Sequence, residues 1–333
     1  MPSTSTRPAT HAGSWYTSSG SSLRSQLSSW VSAVSNPLPN TGPLPVPNAR
    51  VIIAPHAGYS YSGSSAAYAY ASLDVSQAKR VFLLGPSHHA YLPGCALSSY
   101  KSYATPLGDL PLDESTIAEL HATGKFEWMS KMADDEEHSL EMHLPYIFHT
   151  LSTAFPDQTA DAYPPLIPIL VGSTSPSTER LYGDILAPYL ADPSNVFVIS
   201  SDFCHWGLRF SYTHYLPSAP SLAGGRSLKA RDKAPSNPSI ADSIGALDRL
   251  AMEAVESGRH KLFLDVLKET GNTVCGRHPI GVMMAAMQAS KTDPGTEGEQ
   301  GRFQFVRYER SSEVQGVGES SVSYASAFAV PSG

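Results

Sequence analysis

The sequence predicts an α/β fold of three layers, in which helices cover both faces of a central, mostly parallel mixed sheet. The main observation is three short apolar runs, each ended by turn residues: Val51–Ala54, Val81–Leu84 and Val196–Ile199. Such runs are typical of strands buried on both faces of a sheet. Segments with helical spacing separate them, and this alternation of strand and helix is typical of parallel sheets.

Each of these runs delivers histidine close to its carboxyl end. His56 follows the first run, His88 and His89 follow the second, and Asp202 and His205 follow the third. The carboxyl ends of parallel strands lie along one edge of a sheet, where α/β folds place their ligands. We therefore expect these residues to converge in one cleft. Adjacent side chains at a strand end point apart, so only one of His88 and His89 should face it.

The other elements are predicted from periodicity and composition. A disordered N-terminus is predicted over residues 1–10, and a single domain is predicted over residues 11–333. Helices are predicted from about Ser21 and at Ser62–Ser72, Asp113–Thr123, Ser139–Leu151, Thr178–Leu190, Leu247–Glu256, Lys261–Glu269 and Pro279–Gln288. Further strands are predicted at Leu166–Val171, Phe303–Tyr308 and Val322–Val330, the last two antiparallel at a sheet edge. Polar loops are expected at Leu216–Ile240, which has few large apolar residues, and at Ser290–Gln300.

Composition excludes several classes of partner. The chain has 333 residues, 41% of them hydrophobic, which is enough for a sizeable core. A net charge of −7 argues against binding to nucleic acid or to an anionic membrane. Three cysteines without framework spacing favour a reducing cytosolic or nuclear compartment. No acidic residue precedes Asp74, which imitates a transit peptide, but an integral motif at His11–Tyr16 leaves little room for one.

His56 and His88 are candidate metal ligands, because neutral imidazole is a common ligand of iron, copper and zinc. The alternative is that each only hydrogen-bonds loop backbone. Asp202 and His205 are an acid/base pair, supports that orient the ligands, or simple turn residues. His138 would lie near the site as a supporting residue or on a solvated helix face, since its segment lacks the HExxH spacing of zinc proteases.

Cys275 is the third candidate ligand. It comes shortly before Pro279, a residue that suits the first turn of a helix. Partial positive charge at the helix start, with Arg277 and His278 nearby, predicts a lowered thiol pKa and a thiolate. A thiolate is a soft-metal ligand or a nucleophile. The alternative is a small buried hydrophobic residue, which is how most free cysteines behave.

Six motifs together resemble the Memo family, in order from about His11 to Phe328. They are HAGSWY from His11, APHAGY from Ala54, GPSHH from Gly85, EHSLEMHLPY from Glu137, SSDFCHWG from Ser200 and CGRHPIG from Cys275. The resemblance implies a fold similar to the class III extradiol dioxygenases, non-haem iron enzymes that open catechol rings. It also implies that His56, His88 and Cys275 are metal-site residues, with Asp202 and His205 in the same pocket.

The third ligand differs from the two-histidine, one-carboxylate set of those dioxygenases, so the resemblance does not imply ring cleavage. It does imply copper- or iron-linked redox activity, phosphotyrosine-peptide binding and a link to cell-motility signalling. Our first hypothesis is a redox-active protein that binds iron or copper rather than zinc, and that admits dioxygen or a small organic molecule. The alternative is a non-enzymatic adaptor whose pocket receives a (phospho)tyrosine peptide. A zinc hydrolase is a third possibility.

Overall fold

The structure is a computed structural model that describes residues 5–39, 41–218, 221–290 and 301–331. The predicted loop Ser290–Gln300 lies outside these ranges from residue 291 onwards. In the part of the chain that is described, no helix has both the length and the apolar character needed to cross a membrane.

Strands and helices alternate along most of the chain. The strands are β1 Thr6–Arg7, β2 Val51–Ala54, β3 Arg80–Pro86, β4 Cys95–Leu97, β5 Ser102–Tyr103, β6 Leu110–Pro111, β7 Phe126–Trp128, β8 Leu166–Val171, β9 Asn195–Ser200, β10 His205–Trp206, β11 His214–Tyr215, β12 Arg226–Ser227, β13 Phe303–Arg310 and β14 Ser321–Ala329. The helices are α1 Gly20–Ser32, α2 Tyr59–Ser72, α3 Glu114–Ala122, α4 Lys131–Glu136, α5 His138–Glu141, α6 Leu144–Ala154, α7 Pro176–Ala191, α8 Ile240–Glu256, α9 His260–Thr270 and α10 Arg277–Ala289.

A large mixed sheet flanked by helices forms the centre of the fold, as the sequence predicts. Its strand order is β10-β14-β2-β9-β3-β8-β4-β7, with β13 also paired to β14. The central strands β2, β9, β3 and β8 are parallel, whereas β14 and β4 run antiparallel to their neighbours β2 and β8. Helix α2 packs on β2 and β14, and α10 packs on α7, β3 and β9. The α/β class and the antiparallel pairing of the last two strands are therefore confirmed.

The register of the central strands brings the three histidine-bearing ends together. Ala54 of β2 pairs with Ser200 of β9, and Leu84 of β3 pairs with Ile199 of β9. The three parallel strands consequently end at the same level of the sheet. His56 and Asp202 each follow the paired Ala54 and Ser200 by two residues, so they emerge side by side.

The N-terminal segment is ordered from Ser5, so the prediction of a disordered stretch over residues 1–10 is wrong for residues 5–10. Arg7 is fully buried and donates from Nη1 to Glu141 at 2.8 Å, while its Nε lies 3.2 Å from Asp134. Its guanidinium also donates to the backbone carbonyl oxygens of Asp134 and Glu137. A buried cation needs such partners, and they fix the segment in the fold.

One other sequence prediction needs correction. The helix predicted over Ser139–Leu151 is divided into α5 and α6, because Pro145 has no N–H to continue a helix and instead occupies the first turn of α6.

The segment Leu216–Ile240 is exposed at Arg226 and Ser227 but contributes Leu216, Leu228 and Ile240 to the buried interior. Leu228 and Ile240 belong to a second apolar cluster around Trp206, which anchors both sides of the loop.

Candidate metal centre

The converging strand ends line a cavity of about 590 Å³. Four of the residues that the sequence predicts for the site line it: His56, His88, Asp202 and His205. Cys275 lies beside the cavity rather than on its wall, with its Sγ 3.2 Å from Nε2 of His56. His89 does not line the cavity, whereas its neighbour His88 does.

His56 presents one defined nitrogen to the site. Its Nδ1 lies 2.7 Å from Oγ of Ser200, and that hydroxyl donates its proton to the carbonyl oxygen of Ser139 at 2.7 Å. Ser200 can therefore only accept from His56, which places the proton on Nδ1 and leaves Nε2 with a free lone pair. Burial, and then the neighbouring imidazole of His88, hold the pKa of His56 well below its usual value. His56 is thus neutral, the form that binds metals.

His88 is oriented by Glu137. Its Nδ1 donates to the Glu137 carboxylate at 2.8 Å, and its backbone N–H donates to the other oxygen at 2.8 Å. Burial acts to raise the pKa of Glu137, but these hydrogen bonds prevail and lower it to about 2. A carboxylate that fixes Nδ1–H of a histidine is the usual support for a metal ligand, because it directs Nε2 towards the metal. The sequence pattern of strand ends gives no signal for this role of Glu137.

His138 is the residue that the strand-end pattern did not place in the site. Its ligand atom and those of His56 and His88 all lie within 4.8 Å of one another. Its ring stacks on His88, with 4.2 Å between ring centroids, and lies 4.7 Å from the ring of Trp15. Burial, followed by repulsion from His88, lowers the pKa of His138 to about 3. The site therefore contains three imidazoles rather than two.

Cys275 is held by backbone contacts on the loop before α10. Its Sγ accepts from the backbone N–H of Asp202 at 3.2 Å. A Cβ at Gly276 would overlap the carbonyl oxygen of Ser200 and the side chain of Ser201, so only glycine allows this close approach. Burial, and then the nearby Asp202, raise the pKa of the Cys275 thiol well above its usual value. The expectation of a thiolate in the metal-free protein is therefore wrong, because burial outweighs the helix start.

Arg277 and His278 do not face Cys275, although the sequence suggested that they would. His278 donates from Nδ1 to Oε1 of Glu179 at 2.8 Å, and His260 binds the other oxygen of the same carboxylate at 2.6 Å. These contacts join α7, α9 and the start of α10. His278 of the CGRHPIG motif is thus used to hold helices together, while Arg277 donates to Nε2 of His278.

Asp202 and His205 both lie on the cavity wall, where each is held by backbone groups. Asp202 accepts the backbone N–H of His56 at 2.9 Å, and burial raises the pKa of its carboxyl. His205 donates from Nδ1 to the carbonyl oxygen of Phe203 at 3.0 Å, and its backbone N–H donates to Oγ1 of Thr273 at 2.8 Å. Arg209 and the aromatic rings of Tyr61, Phe210 and Tyr324 complete the cavity lining.

The donor set fits a transition-metal ion. The ligand atoms of His56, His88 and His138 lie within 4.8 Å of one another, whereas the Cys275 sulfur lies close to His56 but is not part of that mutual group. A tetrahedral ion with ordinary bond lengths to nitrogen and sulfur would separate those two ligand atoms by about 3.6 Å. The distance of 3.2 Å between Cys275 Sγ and His56 Nε2 is close to that value. Imidazole with thiolate suits copper, iron or zinc and is a poor set for magnesium or calcium.

Comparisons with known proteins agree over nearly the whole chain. The family model described as Memo-like protein matches residues 7–328. Protein MEMO1 of Xenopus tropicalis is 45% identical over 319 residues, and Protein MEMO1 of Homo sapiens is 44% identical over the same length; each match covers 96% of this chain and 95% of the relative. Protein memo-1 homolog of Caenorhabditis elegans is 41% identical over 321 residues, covering 96% of this chain and 81% of that protein. A crystal structure of an uncharacterised protein from Escherichia coli K12 has a TM-score of 0.42 and 14% identity, covering 83% of this chain and 98% of that chain.

Proposed function

Because this chain belongs to the Memo family, we propose that it is a redox-active protein that binds one iron or copper ion with His56, His88 and Cys275. The observation that carries the proposal is the convergence of three imidazole ligand atoms within 4.8 Å of one another, with the Cys275 sulfur 3.2 Å from His56. The bound ion would supply one-electron chemistry to a small molecule in the cavity. The family resemblance further supports a role in redox signalling and cell motility, and the free cysteines suit the cytosol or nucleus.

The residues around the ligands have separate tasks in this proposal. Ser200 and Glu137 hold the two imidazoles in the tautomer that binds a metal. His205 accepts a proton at Nε2 from a molecule in the cavity, and Asp202 stores one on its carboxyl. Arg209 and the aromatic rings at the cavity would bind a small aromatic molecule with an acidic substituent. His138 provides a further nitrogen beside the ligand set.

Metal analysis is the direct test of this function. Protein purified without chelators and without nickel affinity resin should contain iron or copper close to one ion per chain, by inductively coupled plasma mass spectrometry. A preparation that neither contains nor takes up either metal would contradict the proposal. Stoichiometric zinc together with turnover of an ester or amide would favour the zinc hydrolase instead.

The Cys275→Ser substitution should weaken metal binding, and most strongly for Cu(I). A hydroxyl is a harder ligand than a thiolate, so it binds a soft ion poorly. Cys275→Glu restores two histidines and a carboxylate and should shift the preference towards Fe(II). Competition titrations with Cu(I) and Fe(II) chelators measure both effects. Cys95→Ser is the matched control, since Cys95 is buried in β4 and is not part of the cavity lining; equal losses in the Cys95 and Cys275 variants would remove Cys275 from the ligand set.

The adaptor function is a second candidate, because the cavity combines Arg209 with aromatic rings. A phosphotyrosine ring could enter among these rings while Arg209 pairs with its phosphate. Calorimetry with a tyrosine peptide in phosphorylated and unphosphorylated forms is the test. We expect phosphate-dependent binding that is retained without metal and reduced by Arg209→Gln. Binding that ignores both the phosphate and Arg209 would exclude this candidate.

A further inference from the structure

Four buried tyrosines form a row of touching rings along helix α2, called here the tyrosine row: Tyr16, Tyr59, Tyr146 and Tyr70. The centroids of successive rings are 5.5 Å, 5.6 Å and 4.6 Å apart, and the last two rings are nearly parallel. All four side chains are almost completely buried. Nothing in the proposed metal chemistry requires them.

One end of the tyrosine row begins at the candidate metal centre. Trp15 lines the metal cavity, and its ring lies 4.7 Å from that of His138. Tyr16 is its neighbour in the chain. The backbone carbonyl of Trp15 also accepts the backbone N–H of Tyr59 at 2.9 Å, which links Trp15 to the residue that carries the second ring of the row.

The other end lies at the far end of α2. Tyr59 is the first residue of this helix and Tyr70 is eleven residues later, so three turns place both on the same face, about 16 Å apart along the axis. Tyr70 lines a second cavity of about 420 Å³, whose wall is mostly apolar and includes Leu73, Val75, His149 and Phe155. The row therefore connects two separate cavities.

Only the two ends of the row have a partner that can take a proton. The hydroxyls of Tyr59 and Tyr146 donate to the backbone carbonyls of Met142 and Gly63. A tyrosine becomes a stable neutral radical only if its phenol proton can leave, and a peptide carbonyl does not accept it. These two middle tyrosines can pass an electron along the row, but they cannot hold the radical.

The end at Tyr70 has the better base. Tyr16 donates to Glu141 at 2.8 Å, but that carboxylate is already bound to Arg7 and His11, and its pKa is lowered to about 2 against the opposing effect of burial. Tyr70 donates to Nδ1 of His143 at 2.8 Å, in an imidazole with no other partner. Burial lowers the pKa of His143 to about 3, but its Nδ1 has no second partner among the described residues, so the imidazole can accept the phenol proton as the Tyr70 ring is oxidised.

His143 is otherwise difficult to explain. Its Nε2 is buried and has no hydrogen-bond partner among the described residues, which carries a free-energy cost. Because Nδ1 accepts from Tyr70, the unpartnered Nε2 must carry the ring proton. A proton-accepting role towards Tyr70 accounts for the retention of an imidazole in this apolar position.

We propose that the tyrosine row carries one oxidising equivalent from the metal cavity to Tyr70, where it is held as a neutral phenoxyl radical beside protonated His143. The proposal rests on the redox function above. The oxidant is hydrogen peroxide in the metal cavity. Its O–O bond breaks when two electrons and two solvent protons convert it to two water molecules. A bound reduced metal ion would supply one electron, and Tyr70 supplies the other through the row. The O–H bond of Tyr70 breaks, and its proton moves to Nδ1 of His143. The radical then lies beside the second cavity, within reach of a phenolic reductant.

Freeze-quench electron paramagnetic resonance provides the test. Protein loaded with Fe(II) or Cu(I) is mixed with one equivalent of hydrogen peroxide, and the wild type should give a tyrosine radical whose spectrum changes with ring-deuterated tyrosine. Tyr70→Phe should lose this signal, and Tyr146→Phe, which still lets the rings touch but interrupts the redox-active row, should reduce it several-fold. Tyr182→Phe is the matched control, a buried tyrosine outside the row, and should retain the wild-type signal.

A metal-free arm separates this inference from the proposed function. In a Cys275→Ser background, Ser14→Cys provides a thiol at the rim of the metal cavity, and this thiol carries a ruthenium polypyridyl label. A light flash in the presence of persulfate converts the label to an oxidant. The same dependence on Tyr70 and Tyr146 is expected. A radical in this arm alone would support the row and contradict the metal-dependent function. Absence of a tyrosine radical in both arms, or a signal unchanged in Tyr70→Phe, would overturn the inference.

Discussion

His56→Ala and His88→Ala should each abolish stoichiometric metal binding while leaving the circular dichroism spectrum unchanged. Each substitution removes an Nε2 whose lone pair is directed into the site by a fixed partner on Nδ1, Ser200 in one case and Glu137 in the other. Each variant thus loses one of the proposed ligands, and the remaining donors can no longer surround the ion. Metal content after dialysis, measured by mass spectrometry, is the readout.

Two matched variants give this prediction a scale. Glu137→Gln keeps a hydrogen-bond acceptor for His88 but removes the charge, and it should weaken binding by about 10–100-fold. His89→Ala, next to His88 but outside the cavity lining, should retain the wild-type stoichiometry. Full metal content in both the His56 and His88 variants would refute the ligand assignment.

Arg7→Ala should destabilise the fold by about 3–5 kcal/mol, the loss expected when one partner of a buried ion pair is removed. Arg7 and Glu141 are both fully buried, so the substitution leaves a carboxylate in the interior without its guanidinium. The structural change caused by Arg7→Ala should extend to the candidate metal centre, because the Glu141 carboxylate also binds His11 and Tyr16. Urea denaturation followed by fluorescence measures the change in the free energy of unfolding.

Arg80→Ala is the control for the Arg7 variant. Its ion pair with Asp113 has the same distance of 2.8 Å but lies partly in solvent, so its loss should change stability by at most about 1 kcal/mol. Acid should also reduce stability, because it protonates the buried Glu141 carboxylate that pairs with Arg7. The pKa of Glu141 is lowered to about 2 in the folded state, so its contribution is present above the unfolded pKa of about 4.3 and is lost as the pH falls towards 2. Equal destabilisation by both arginine variants would contradict the role given to burial.

The sequence predicts the centre of this fold well and its periphery less well. Runs such as Val81–Leu84 are short, apolar on both faces and ended by turn residues, a combination that favours a buried strand, so the sequence predicts β2, β3, β8 and β9. Strands of two or three residues, such as Cys95–Leu97, contain too few residues for a periodic signal. The pairing of Thr6–Arg7 depends on contacts with residues about a hundred positions later, which local composition does not encode.

The site shows the same division. His56 and His88 follow buried strands, so topology alone predicts that they converge. His138 reaches the site from a short helix and Trp15 from a loop, where no strand end signals their position. The protonation of Cys275 was predicted incorrectly because a helix start is visible in the sequence, whereas the degree of burial that opposes it depends on the assembled fold.

The close packing of Gly276 has a practical consequence for protein engineering. Position 275 is the one to vary for a change of metal preference, because under the proposed function its sulfur would be a ligand of the ion. Position 276 cannot be varied in the same library, because any Cβ would collide with the end of β9 and move residue 275 away from His56. Selection for altered redox potential should therefore randomise residue 275 alone and keep its neighbour invariant, so that the clones compared differ in ligand chemistry and share one backbone.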